Sequence, residues 1–247
     1  MSALLQVSGL NKHFGGLHAV KDVSFALQGG SITGVLGPNG AGKTTMFNLL
    51  TGFMLADSGS VLFDGRSLAG LAPHQIVNCG VARTFQLARP FAGMSVVENV
   101  EVACLAPRVR RSGKPRERAH ALLDQVGLGD RAELEVEVLS YGDLRRLEIA
   151  RTLATKPRLL LLDEPFAGLG ASEVEPLAEL IRELHRTEGL TILIIEHKLR
   201  EFMQLVQDVI AMDFGEVVAI GAPAEIVRHP RVIEAYLGTT QIDLELH

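Results

Sequence analysis

"SITGVLGPNGAGKTTMFNLLTG", Ser31 to Gly52, carries three kinds of local structure in succession. The apolar "SITGVL" predicts a buried strand. "GPNGAGKT", Gly37 to Thr44, fits the spacing G-x-x-x-x-G-K-[ST]. "KTTMFNLLTG" then repeats Met46, Leu49 and Leu50 at helical spacing and stops at Gly52, a usual C-terminal cap. A polyphosphate needs many hydrogen-bond donors at short range. Backbone N–H groups supply them where no Cβ holds the ligand off, as at Gly37, Gly40 and Gly42. The helix N-terminus points its partial positive charge at the same place. Lys43 is spaced to reach the terminal phosphates, and the Thr44 hydroxyl is spaced to reach a magnesium ion. This stretch therefore predicts strand, phosphate-binding loop and helix in one unit.

The whole chain has 247 residues, of which 47% are hydrophobic and 21% charged, enough for one larger globular unit or two closely joined subdomains. A net charge of -5 argues against a surface that attracts nucleic acid or anionic lipid as a whole, so an anionic ligand must be held by local geometry. The longest apolar runs, Leu159 to Leu162 and Leu190 to Ile195, fall far short of the ~20 residues that span a bilayer. The N-terminus does not read as a secretory signal, which makes a cytosolic location the default expectation. Cys79 and Cys104 read as buried small apolar residues.

Around the loop, "LLQVSGL", "VKDVSFAL" and "GSVLFDG" read as strands. From residue 87 to 157 the pattern is helical with short links, an inserted subdomain whose basic run Pro107 to Arg118 is expected to be a solvated loop or helix end. "RLLLLDE", "PLAELIRELHRTEG" and "LTILIIEH" form a βαβ pattern of a parallel sheet. Its helix has two competing starts, a capping box at Ser172 and Glu175 or Pro176 as first residue. "DVIAMDFGEVVAIG" reads as a hairpin around Asp213 to Gly215, and residues 222–247 as a tail with short helices.

"LLLLDEP" sets Asp163 and Glu164 at the carboxyl end of an apolar strand, where parallel sheets place their ligand crevice. Asp163 is expected in a Mg²⁺ shell and Glu164 as acceptor of an attacking water, roles that phosphoryl transfer to water requires. In "LSYGDLRRLEIARTL", Leu139 to Leu153, a Ser-x-Gly turn opens a helix and predicts a second anion site. Leu147, Ala150 and Ala154 share one face; Arg145, Arg146 and Arg151 are expected largely on others.

These residues resemble the signature motif of ATP-binding cassette (ABC) ATPases, and the resemblance covers nearly the whole chain. It implies an α/β phosphate-loop NTPase fold, with a RecA-like parallel core sheet, an N-terminal antiparallel β-subdomain and the inserted helical subdomain, all in one ABC ATPase domain. It implies ATP and Mg²⁺ as cofactors. ATP would lie on Gly37, Pro38, Asn39, Gly40, Ala41, Gly42, Lys43, Thr44 and Thr45, with Phe14 stacked on adenine and Val20 beside it. Gln86 resembles the family's glutamine that touches Mg²⁺ along with Thr44 and Asp163, and His197 its switch histidine, which would act with Glu164 in hydrolysis. By the same resemblance Ser140, Tyr141 and Gly142 would serve ATP held by a second cassette. Two residues depart from the family pattern. Asp143 would repel a neighbour's γ-phosphate unless it points along the helix toward Arg146, and Gly170 stands where Asp or Asn is common.

"GVARTFQLARPFAGMSVVENV", "LSYG" and "HPRVIEAYLG" together look like the ATP-binding subunit of bacterial branched-chain amino acid importers; urea, amide and aromatic acid importers use similar cassettes. The implied partners are a second cassette, identical or a sister subunit, integral membrane permease subunits received in a cleft near Gln86 to Val100, and indirectly an external binding protein. The chain would lie on the inner face of the cell membrane. A soluble ABC ATPase acting on nucleic acid or ribosomes fits less well, since such proteins usually join two cassettes or insert long coiled coils, and nucleic acid is not an expected partner.

Overall fold

The computed structural model describes residues 3–85, 89–109 and 113–237, the side chains of 236 and 237 excepted. β1 (Leu5–Phe14) and β2 (Leu17–Leu27) form an antiparallel hairpin. Its strands meet at the pair Phe14 and Leu17, so two glycines make the turn and both apolar side chains stand at the tip. β3 (Ile32–Leu36) leads through the glycine loop into α1 (Lys43–Leu50). β4 (Ser58–Phe63) and β5 (Arg66–Ser67) return to the first sheet, in the order β2-β1-β4-β5. α2 (Pro73–Cys79) and β6 (Val81–Arg83) follow.

The chain between β6 and the acidic strand is helical: α3 (Val96–Cys104), α4 (Pro115–Gln125) and α5 (Tyr141–Leu153), with 3₁₀ turns at Gly129–Arg131 and Val136–Val138. β7 (Leu159–Asp163), α6 (Ala171–Glu188) and β8 (Thr191–Ile195) complete a parallel βαβ unit. α7 (Leu199–Leu205), the hairpin β9 (Asp208–Asp213) and β10 (Glu216–Gly221), α8 (Pro223–Ile226) and α9 (Pro230–Leu237) end the described chain.

The second sheet runs β10-β9-β3-β8-β7-β6 and is parallel apart from β10. Its inner strands are apolar throughout because both faces are covered. Leu160, Leu162, Ile192 and Ile194 pack with the helical insert and α6, while Leu159, Leu161, Leu193 and Ile195 pack with β1, β2 and α1. The run of four leucines thus serves two separate cores. A parallel sheet of this kind puts the carboxyl ends of β3, β7 and β8 side by side, which is what assembles a site from three distant segments.

Several expectations need correction. α6 begins at Ala171, earlier than either expected start, because the Glu173 carboxylate accepts the N–H of Gly170 at 2.9 Å and so caps the helix end. Pro176 consequently sits inside the helix, which is held by the buried stripe Val174, Leu177, Ala178, Ile181 and Leu184. Cys104 is buried, but Cys79 is only half-buried. In the basic run, Arg118 donates to the carbonyls of Val109 and Ala154 and Arg116 to Glu133, so part of this charge braces the insert; residues 110–112 lie outside the described residues.

Candidate functional site

A cavity of about 540 Å³ opens along the glycine loop and is lined by residues 39–45 together with Phe14, Leu17, Glu164, His197 and Phe214. Gly42 shows why the loop must be so bare: it adopts φ +94°, and a Cβ there would lie 2.4 Å from the carbonyl oxygen of Ala19 on β2. Gly42 is also the N-cap of α1, which has no side-chain cap and no acidic residue in its first turn. Its N–H groups are therefore available to an anion. Lys43 is buried, with Nζ donating to the carbonyl oxygens of Gly37 (2.6 Å) and Pro38 (2.9 Å). Burial pushes its pKa down, an effect opposed by the nearby carboxylates of Glu164 and Asp163. The exposed Thr44 and half-buried Thr45 also line the cavity. Gly37 and Pro38 do not line it; they hold Lys43 from behind.

Glu164 follows β7 with φ +50°, a strained conformation for a residue with a side chain. Its N–H donates to the Ile195 carbonyl at 2.9 Å, and its Oε1 lies 3.0 Å from His197 Nε2. Sequence positions 164 and 197 are thus joined across adjacent strand ends, facing the glycine loop. Glu196 explains how His197 is held there. Only 2% exposed, it accepts from the N–H groups of Phe166 (2.6 Å), His197 (2.7 Å) and Lys198 (3.1 Å), stapling the loop after β7 to the loop after β8. Sequence reasoning passed over this carboxylate; its one signal was an acidic residue directly continuing an apolar strand, where burial demands partners.

Asp163 is buried and does not line the cavity; its Oδ2 accepts from Arg83 Nη2 at 2.6 Å. Arg83 also donates to Asn48 at 2.7 Å, and its guanidinium lies over the rings of Phe47 and Phe85. Val20 is fully buried within β2 and does not line the cavity, whereas Phe14 does, with His18, Ala19 and Lys21. Gln86 lies outside the described residues.

Ser140, Tyr141 and Gly142 stand apart from this cavity, at the N-terminus of α5. Ser140 is the N-cap, accepting from the Asp143 N–H at 3.2 Å, while Asp143 Oδ2 accepts from the Ser140 N–H (3.2 Å) and hydroxyl (2.6 Å). Asp143 turns to Arg131, with which it forms an ion pair, and not to Arg146, which donates to the Val126 carbonyl. A Cβ on Gly142 would lie 2.6 Å from the Glu173 carboxylate, so α5 and α6 meet closely here. Arg145 also departs from expectation. It is 2% exposed, donates to Tyr141 Oη (2.7 Å), Glu148 (3.3 Å) and the Phe85 carbonyl (3.0 Å), and Glu148 accepts the Phe85 N–H at 2.6 Å. Both backbone polar groups of Phe85 are held by one i, i+3 pair on α5. Burial pushes the Glu148 pKa up, against the Phe85 N–H and Arg145, which favour the carboxylate.

A sequence model of the ABC transporter family matches residues 20–167, and one described as branched-chain amino acid ATP-binding cassette transporter matches residues 216–240. The chain belongs to the ABC transporter family. Among curated relatives it is 43% identical to the high-affinity branched-chain amino acid transport ATP-binding protein LivG of Escherichia coli strain K12, over 95% of this chain and 98% of that protein. BraF of Pseudomonas aeruginosa, named in the same way, is 41% identical over the same shares. The crystal structure of the ADP conformation of MJ1267, an ATP-binding cassette of an ABC transporter, superposes with a TM-score of 0.87 at 30% identity, over 96% of this chain and all of that one. As an ABC cassette the chain is an ATPase, and the fold is the one its sequence implied. Among the described residues no helix is long and apolar enough to cross a membrane.

Proposed function

We propose that this cassette powers a branched-chain amino acid importer, holding Mg²⁺-ATP between its own glycine loop and the α5 N-terminus of a second cassette. The observation that carries the catalytic reading is the Glu164–His197 contact of 3.0 Å at the wall of the cavity that holds Lys43. In this reading Lys43 carries positive charge to the phosphates, Glu164 accepts a hydrogen bond from the attacking water, and His197 orients that water and the γ-phosphate. Phe14 stacks on the base from the hairpin tip. Ser140 and Gly142 close on the partner's ATP, with Tyr141 braced by Arg145. Gln86, which follows Phe85 in sequence, would touch the Mg²⁺ ion as the family's glutamine does.

The donor set suits Mg²⁺, which takes oxygen ligands and keeps several waters. Thr44 offers a hydroxyl in the cavity, and Asp163 a carboxylate whose orientation Arg83 fixes. Bound there, the ion would neutralise phosphate charge. The cargo reading rests on the similarity of residues 216–240 and on the names of the LivG and BraF relatives. A permease contact between the core and the insert is supported by the exposed rings of Phe53, Phe85 and Phe91, which line no internal core. Such a subunit sits peripherally on the cytoplasmic face of the membrane, with an external binding protein choosing the cargo.

Pull-down of the chain from its native membrane, followed by reconstitution of what is recovered in proteoliposomes, tests this reading. Permease subunits and ATP turnover raised several-fold by leucine-loaded binding protein are expected. Stimulation by urea, an amide or an aromatic acid in place of leucine would overturn the cargo, and recovery of ribosomal proteins or nucleic acid without permease would overturn the transporter.

A further inference from the structure

The sharpest anomaly outside the mechanism is Phe214, at the tip of the β9–β10 hairpin. It is 78% exposed, more than any other large hydrophobic side chain among the described residues, and it adopts φ +41°. Positive φ is unfavourable for a bulky aromatic residue, and turns of this kind ordinarily take Gly, Asn or Asp. Both an exposed ring and a strained backbone therefore need a compensating use.

The hairpin tip is fixed to the phosphate loop. Gly215 N–H donates to the Ala41 carbonyl at 3.2 Å, and the Gly215 carbonyl accepts from Lys21 N–H at 2.8 Å. A Cβ on Gly42 would stand 3.4 Å from the Gly215 Cα, so hairpin, β2 and loop are in contact along their backbones. A ring carried on so short and well-anchored a turn is positioned by the same atoms that shape the phosphate cradle. That ring lines the cavity of the glycine loop, as do Phe14 and Leu17 from the β1–β2 tip. The cavity thus has polar phosphate donors along residues 39–45 and apolar side chains from two separate hairpin tips, and this pairing of surfaces matches a nucleoside triphosphate with its flat base among the apolar groups.

We propose that Phe214 is a second base-contacting residue, forming with Phe14 an aromatic clamp for the purine of the bound nucleotide. This rests on the assignment of the cavity to ATP and of Phe14 to its base. Contact through ring faces recognises a purine without distinguishing adenine from guanine.

Binding of Mg²⁺-ATP, Mg²⁺-GTP and Mg²⁺-tripolyphosphate to the full chain tests the clamp by calorimetry in Phe214→Asn, Phe214→Trp, Phe14→Ala and Lys43→Ala. Asn suits the positive φ, so Phe214→Asn should melt no lower than the parent chain without nucleotide. It should bind ATP and GTP about tenfold more weakly, with tripolyphosphate affinity unchanged and purine affinity restored by Trp. Unchanged ATP affinity in Phe214→Asn alongside a loss in Phe14→Ala would overturn the clamp and leave the base site standing. Unchanged affinity in both, with binding abolished by Lys43→Ala, would overturn the base site and the clamp together. Equal weakening of ATP and tripolyphosphate would make Phe214 a support of the phosphate loop and also overturn the proposal.

Discussion

Two helix N-termini in this cassette look alike in sequence and differ in the finished structure. Each follows a small-residue turn and each was expected to hold an anion. At α1 the N-cap is Gly42, with neither side-chain cap nor acidic residue, so its donors and Lys43 face the cavity. At α5 the N-cap Ser140 and Asp143 satisfy each other, and Arg131 neutralises the acid. The first terminus is open, as the proposed phosphate site requires; the second is self-satisfied and must exchange internal bonds for any ligand. An anion offered to an isolated chain should therefore choose α1. This difference gives a physical reason for the proposed site, in which each chain would hold its own ATP and borrow α5 from a neighbour.

The largest expected effect falls on the open terminus. Lys43→Ala should weaken ATP binding or turnover by about 10³-fold, the scale for deleting a donor aimed at developing charge. Near-normal turnover would remove the loop as the phosphate site. Next comes the anchoring of α5. Arg145→Ala strips the partner from Glu148 and from the Phe85 carbonyl, and urea unfolding should show a loss of about 3 kcal/mol, typical of a broken buried pair. A loss within error would mean that α5 is not fixed against the β6 loop.

The contrast was only partly legible in the sequence. "GPNGAGKT" and the apolar runs beside it specify strand, loop and helix because glycine spacing and hydrophobic period are local signals. Arg145 was misread because an amphipathic pattern assigns arginines to the outside, whereas its partners Tyr141 and Glu148 on the same helix let it be buried. Glu196 and the Arg83–Asp163 pair escaped notice because Phe166 is far from Glu196 in sequence, as Arg83 is from Asp163, and the sheet alone makes them neighbours. The start of α6 was hidden by a glycine N-cap, which carries no side-chain signal. Phe214 read as part of a turn, since exposure and φ are properties of the folded chain.

Smaller changes sharpen the comparison further. Asp143→Ala removes the acceptor that closes α5 and should cost about 1 kcal/mol in unfolding experiments, as for other lost caps. An increase in stability would show that Asp143 is repelled there and not engaged. The smallest effect belongs to the β1–β2 tip that carries Phe14. Hydrogen bonds from Lys12 Nζ and the His13 N–H hold the Asp57 carboxyl at about 2, below its ordinary value. Because the folded value lies below the unfolded one, this contribution is present above the ordinary carboxylate range and is lost as pH falls through about 2. Melting points of the parent and Asp57→Asn should differ slightly at neutral pH and converge as acid is added; a gap that widens in acid would reverse the assignment.

The most direct test of one open and one self-satisfied terminus is Ser140→Ala, followed by ATP affinity of the isolated chain and ATP turnover of the transporter assembled from it. The account predicts an isolated-chain affinity equal to that of the parent and a turnover lower by about 10²-fold, the cost of one missing transition-state donor. An isolated-chain affinity that falls as far as in Lys43→Ala would contradict it, because α5 would then belong to the chain's own phosphate cradle.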